Sequence, residues 1–167
     1  MQSRLKYGLV AAGGMSAWTL GEYLLGFHNT RLAAGQYSSW GPVVILVLAL
    51  WRMLHDELYR PGRTWLPVGE GLLYGLLTGL VAAMGYFVFL FLYLNFINPD
   101  YADLRLEWQV ARMRAAGQSE AAVRAMARGF RWGMGPVGLP ATVFSLCLVA
   151  ALIASPLLTL RLNWRRK

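Results

Sequence analysis

The chain has little of what most soluble enzymes depend on. Its only cysteine, Cys147, lies inside an apolar run, so neither a disulfide framework nor a thiolate metal site can form within one chain. There are two histidines, His28 and His55, and neither falls at the middle of an apolar stretch, which argues against axial ligation of a haem or chlorophyll buried among helices. Zinc is excluded on spacing: Glu22 and His28 stand six apart, off a common helix face, with no further histidine on their side. No nucleophile–base pair or metal set is present, so no catalytic function and no cofactor are expected. Charged residues make up only 14% of the chain against 57% hydrophobic, a balance displaced from soluble domains toward lipid. The net charge of +8 fits lysines and arginines held against anionic lipid at membrane-side connections, and nucleic acid is not an expected partner.

What the chain does have is length without charge. From Gly71 to Pro99 it runs 29 residues with no charged side chain. About 20 apolar residues suffice to cross the roughly 30 Å hydrocarbon core. The expected fold is all-α: a single membrane domain over residues 1–167, with four transmembrane helices and an amphipathic helical insert before the last. The expected spans are about 7–27, 36–52, 68–97 and 136–160, with the insert at about 99–131. Pro42 suits an early helical position in the second span, and Pro156 a kink late in the fourth. Lys6 before an apolar run imitates a signal peptide, but the run is too long and lacks a small-residue cleavage site, so a retained helix is expected.

Nine Lys and Arg residues flank these spans on the side of the termini and seven on the other side, which favours both termini in the cytoplasm. In the insert, Asn98-Pro99-Asp100 marks one helix start and Ser119-Glu120 a second, separated by Gly117. Leu106, Val110 and Met113 form an apolar stripe nearly opposite that of Tyr101, Leu104 and Trp108, and it needs cover from a partner or from the membrane interface. Arg124, Arg128 and Arg131 share one face of the second helix. With the terminal Arg165, Arg166 and Lys167, they are expected to contact lipid phosphates or a partner.

The segments Glu22–His28, Gly35-Gln36-Tyr37-Ser38 and Asn95–Tyr101 resemble motifs of a bacterial family catalogued as a domain of unknown function, number forty-one-ninety-nine. Gly117-Gln118-Ser119-Glu120, Met126 and the Gly/Pro-led last span also fit it, in order along nearly the whole chain. The resemblance implies four membrane helices with an amphipathic insert, in a bacterial inner membrane, and implies no activity.

Two groups of residues carry the functional expectation. An ionised carboxylate within a span costs about 2–3 kcal/mol or more, so Glu22 requires a partner or a role. Topology gathers His28, Gln36, Tyr37, Asn95 and Asn98 near its leaflet. Either Glu22 caps the second span and ties down the first connection, or these groups line a polar pocket for a small ligand, ion or proton. Small residues four apart, Gly71, Gly75, Gly79 and Ala83 on the third span and Gly13, Ala17 and Gly21 on the first, form ladders for close packing, with those two spans the expected closest pair. His55-Asp56-Glu57 is expected in a solvated, salt-bridged connection among Arg52, Arg60 and Arg63. The expected function is that of a structural or accessory subunit packed against a larger membrane complex or against itself. The alternative is a small carrier or ligand-binding protein built on Glu22 and His28. A carrier would show internal repeats and broken midplane spans, and none is seen.

Overall fold

A computed structural model describes residues 2–165, so Arg166 and Lys167 lie outside the described residues. In chain order the helices are α1 (Gln2–Leu24), α2 (Leu32–Ser38), α3 (Gly41–Leu58), α4 (Val68–Leu92), α5 (Tyr101–Ala115), α6 (Glu120–Met134) and α7 (Gly138–Trp164). A single π-helical turn, Tyr93–Ile97, continues α4. No strand occurs among the described residues.

α1, α3, α4 and α7 form an up-and-down bundle in which α4 packs on both α1 and α7, while α3 packs on α1 and α7 from the other side. The connection bearing α5 and α6 lies at the end opposite the termini. Three segments are long and apolar enough to cross a membrane: Leu32–Leu58, Val68–Ile97 and Gly138–Trp164. By length and composition, three helices rather than the four expected qualify as spans, and α1 is the one that does not. α1 has the length, but Gly13, Gly14, Ser16, Thr19, Gly21 and Glu22 dilute its apolarity below that of the others.

The ladder on α4 meets a matching ladder on α7. A Cβ added at Gly71 would fall 2.1 Å from Thr159 Oγ1, one at Gly75 1.8 Å from Ser155 Oγ, and one at Gly79 2.5 Å from Ala151 Cβ. The four-residue steps of two antiparallel helices interlock, so the backbones approach as closely as small residues permit. The hydroxyls of Ser155 and Thr159 donate to carbonyls one turn back, Ala151 and Ser155, which satisfies them inside the seam. α7 remains helical through Pro156.

The α1 ladder does not pack in this way. Gly13 and Gly21 have nothing within 4 Å of an added Cβ, and Ala17 is exposed. α1 instead meets α4 through Gly8, set against Val81, and Ala12, set against Gly85. The closest small-residue seam is thus α4–α7 rather than α1–α4. One helix face cannot serve two neighbours, and Ala11, Ala12 and Met15 point inward on the face opposite Gly13 and Ala17.

α3 also runs further than expected. His55-Asp56-Glu57 is its last turn, not a solvated connection, and Glu57 is only 1% exposed. Its carboxylate accepts from Ser3 Oγ at 2.7 Å and Arg60 Nη2 at 3.1 Å. Asp56 pairs with Arg52 at 3.1 Å and accepts from the Tyr7 hydroxyl, and Glu70 pairs with Arg63 at 2.8 Å. Asn163 closes this end, donating to Leu66 O at 2.8 Å and accepting from Leu66 N at 3.2 Å.

The insert is a helical hairpin. Gly117, at φ +72°, ends α5 in the left-handed region, with Gln118 N–H reaching Met113 O and Gly117 N–H reaching Arg114 O. Ser119 then caps α6, accepting from Ala122 N–H. Leu106 and Val123 are the buried side chains of the pair, so part of the second stripe on α5 is covered by α6 itself. Arg114 holds Glu120 in a two-pronged pair at 2.9 and 3.1 Å, and that guanidinium keeps the Glu120 carboxyl below its usual range.

Candidate ligand pocket

The turn after α1 builds the site. Gly26 takes φ +79°, which an L side chain rarely adopts, and the chain reverses through Gly26 N–H to Tyr23 O and Phe27 N–H to Glu22 O. This reversal brings His28 back onto the helix it has just left. His28 Nε2 lies 3.4 Å from Glu22 Oε2, with both side chains buried. His28 Nδ1 lies 2.6 Å from the Tyr93 hydroxyl, which in turn accepts from Asn98 Nδ2 at 2.9 Å. With the Asn98 amide donating to Tyr93, the Tyr93 O–H is free to donate to Nδ1. A proton on Nε2 in that arrangement faces Glu22. The Tyr101 ring packs on His28 at 4.8 Å between centroids, and burial pushes the Tyr101 hydroxyl up.

Glu22 is 6% exposed, and its Oε1 makes no hydrogen bond, although the Ser38 hydroxyl and the Trp18 indole, which donate to Gly35 O and Ser38 O, stand beside the carboxylate. A buried carboxylate oxygen without a donor forfeits about 1–3 kcal/mol or more, so this atom is an open valence of the fold. The Glu22 side chain also lines a cavity of about 140 Å³. Thr19, Glu22, His28, Tyr93 and Tyr101 give the cavity a polar side; Pro42, Val43, Leu90, Val143 and Leu146 give it an apolar one. Thr19 Oγ1 is already engaged with the Tyr86 hydroxyl at 2.7 Å. Leu146 is 55% exposed, so the cavity reaches the outer surface of the bundle between α3 and α7.

Of the expected polar cluster, Glu22, His28 and Asn98 come together, and Gln36, Tyr37 and Asn95 do not. Tyr37 is 81% exposed. Gln36 faces out from α2 and accepts from Arg112 Nη1 at 3.0 Å, because Leu32 and Gly35 take the inward face of that short helix. Asn95 bonds back to Phe91 O at 2.7 Å, exposed. The π turn buries Tyr93 and Leu94 and leaves Asn95 and Phe96 outside. Thr19, Tyr86 and Tyr101 join the site although the sequence pattern assigns Tyr86 to packing and Tyr101 to an apolar stripe. Their signal lay in spacing: Thr19 is one turn from Glu22, and Tyr86 and Tyr93 are two turns apart on one face.

Arg124, Arg128 and Arg131 line an open groove along the outside of α6, and Arg165 is exposed at the end of α7. Among the described residues no three His, Cys, Asp or Glu side chains converge as a metal set. No curated protein and no solved structure matches the chain. The family model described as a protein of unknown function (DUF4199) matches residues 6–159, nearly the full length including every residue of this pocket, and the chain belongs to that family.

Proposed function

We propose that the protein is a membrane-embedded helical bundle that holds a small amphipathic molecule, or the head of a larger one, in the cavity at Glu22 and His28. The observation that carries this reading is a cavity whose wall joins the buried Glu22–His28 pair to apolar side chains. The volume of about 140 Å³ equals that of a few water molecules, each taking roughly 30 Å³ in the liquid. It therefore takes a donor-bearing group and leaves an apolar remainder to pass out beside Leu146 into lipid. Membrane placement draws support from the bundle's outer surface, where Leu9, Val44, Leu73, Leu80, Leu152 and Leu157 are all exposed. In this reading α1 lies within the bilayer with the three more apolar spans, both termini are cytoplasmic, and α5–α6 lies on the opposite surface. Cysteine labelling of intact cells at Gln118 and at Arg165 tests the orientation; labelling from outside at Arg165 alone reverses it.

Mass spectrometry of small molecules released from protein purified in mild detergent tests the ligand. Glu22→Gln keeps the shape and loses the charge, and is expected to lower the bound fraction about tenfold or more, since hydrogen bonds to charged groups are worth about 1.5–3 kcal/mol. Equal recovery from both proteins would rule the pocket out.

The accessory-subunit reading retains one specific observation. Gly14, Ala17, Trp18, Gly21, Leu25 and Phe27, with Glu22 at its edge, line a groove outside α1 where an added Cβ at Gly21 meets nothing. A second helix laid there would find the small-residue face that close packing in membranes uses. Native mass spectrometry of Gly21→Leu beside the wild type, both in mild detergent, separates a protein-bound state from a lipid-covered monomer.

A further inference from the structure

At the end that carries the termini, each acid already has its arginine. Asp56 holds Arg52, Glu57 holds Arg60, and Glu70 holds Arg63. Arg4 lies 3.5 Å over the Tyr74 ring. Two arginines are left over at the end of α7: Arg161 in its last turn and Arg165 just beyond it, both exposed and with no acidic partner among the described residues. Together with Leu48, Trp51 and Leu162 they line a cleft of about 290 Å³ between α3 and α7. Leu48 is 57% exposed on the outer, lipid-ward side of α3, and Trp51 is partly exposed one turn nearer the end.

This is a layered arrangement: apolar side chain, indole, then guanidinium, in the order met on passing from acyl chain to headgroup. Tryptophan concentrates at that boundary in membrane proteins. Guanidinium matches phosphate oxygens with paired N–H donors. The cleft is also fixed in place, since the two hydrogen bonds of Asn163 to the Leu66 backbone hold this turn of α7 between the two arginines. We infer that Arg161 and Arg165 form a headgroup site for an anionic phospholipid, with Trp51 and Leu48 bordering its glycerol and first acyl carbons. The site lies at the opposite end of the bundle from the Glu22 cavity and does not depend on that cavity being occupied.

The test uses the full chain in mild detergent, titrated with phosphatidylglycerol or with phosphatidylcholine and read by native mass spectrometry. Two arginines near a lipid phosphate correspond to roughly 30-fold in affinity. The wild type should therefore retain phosphatidylglycerol over phosphatidylcholine by about that factor. Arg161→Gln/Arg165→Gln should lose the preference, whereas Arg161→Lys/Arg165→Lys should keep most of it. Arg124→Gln/Arg128→Gln, which removes the same charge from α6, should leave the highest-affinity lipid in place. Equal retention of the two lipids by the wild type, or an unchanged preference in the glutamine variant, overturns the site. Displacement of the lipid by millimolar inorganic phosphate would overturn it also, by showing a free-anion site instead. Both glutamine positions are solvent- or lipid-facing, and a thermal melt matching the wild type confirms that loss of lipid is not loss of fold.

Discussion

The two ends of the bundle each bury a carboxylate, and they treat it differently. At the end with the termini, one oxygen of Glu57 accepts from both Ser3 and Arg60 at ordinary hydrogen-bond distances, and its neighbours Asp56 and Glu70 are paired with arginines. At the other end Glu22 has no arginine; its ionic partner is His28 at 3.4 Å, and the pair lines a cavity. The first pattern is what stability alone produces, since a buried charge is tolerated when paired and hydrogen-bonded. The second sets a titratable pair next to a cavity, and groups of that kind gather where something other than the fold uses them. The contrast, more than either residue alone, separates frame from site.

The comparison presumes a frame that joins both ends rigidly, and breaking the frame should give the largest effect. Gly75→Leu sets a side chain into Ser155 and is expected to lower stability by about 3 kcal/mol or more, while Gly13→Leu, with open space around it, should be near neutral. Thermal melts in one detergent compare the two; equal melting would mean that the α4–α7 seam is not the frame. Next in size, Glu57→Ala strips Ser3 and Arg60 of their acceptor. A loss of about 1–2 kcal/mol is expected, moderated because Arg60 is largely exposed. Glu22→Gln should change stability by less than about 1 kcal/mol, or raise it, because Gln still accepts from His28 without leaving a buried charge. A Glu22 variant as destabilised as Glu57→Ala would erase the distinction between the ends. Smallest of all, Arg114→Gln opens a fully exposed pair between α5 and α6 and should leave the melting temperature unchanged, with its effect confined to hydrogen exchange near Gly117.

Much of the frame was legible because it repeats. A small residue every fourth position is visible in any chain, and Gly71, Gly75 and Gly79 do lie in a seam. The same pattern at Gly13, Ala17 and Gly21 points outward, because periodicity assigns residues to a face and says nothing of what covers that face. Reading the complementary Ala151, Ser155 and Thr159 on α7 would have identified the true neighbour. Of the site, Glu22 and His28 were legible since a charge in an apolar run demands an explanation, and the Gly26 turn sits between them. Gln36, Tyr37 and Asn95 misled because their exposure rests on local geometry, a seven-residue helix and one π turn, that hydropathy does not encode. Glu57 was hidden by its surroundings: three charged neighbours look solvated in sequence, and only the packing of α1 on α3 buries it.

The most direct test of the contrast is occupancy at the Glu22 cavity measured alongside stability. Wild type, Glu22→Gln and Glu57→Ala, purified in the same mild detergent, are each melted and then extracted for bound small molecules. The account predicts that Glu22→Gln melts within a few degrees of the wild type yet loses most of a bound amphipathic molecule, while Glu57→Ala melts lower and, where folded, retains it. Recovery of the same molecule at the same stoichiometry from wild type and Glu22→Gln, or of none from the wild type, would contradict it.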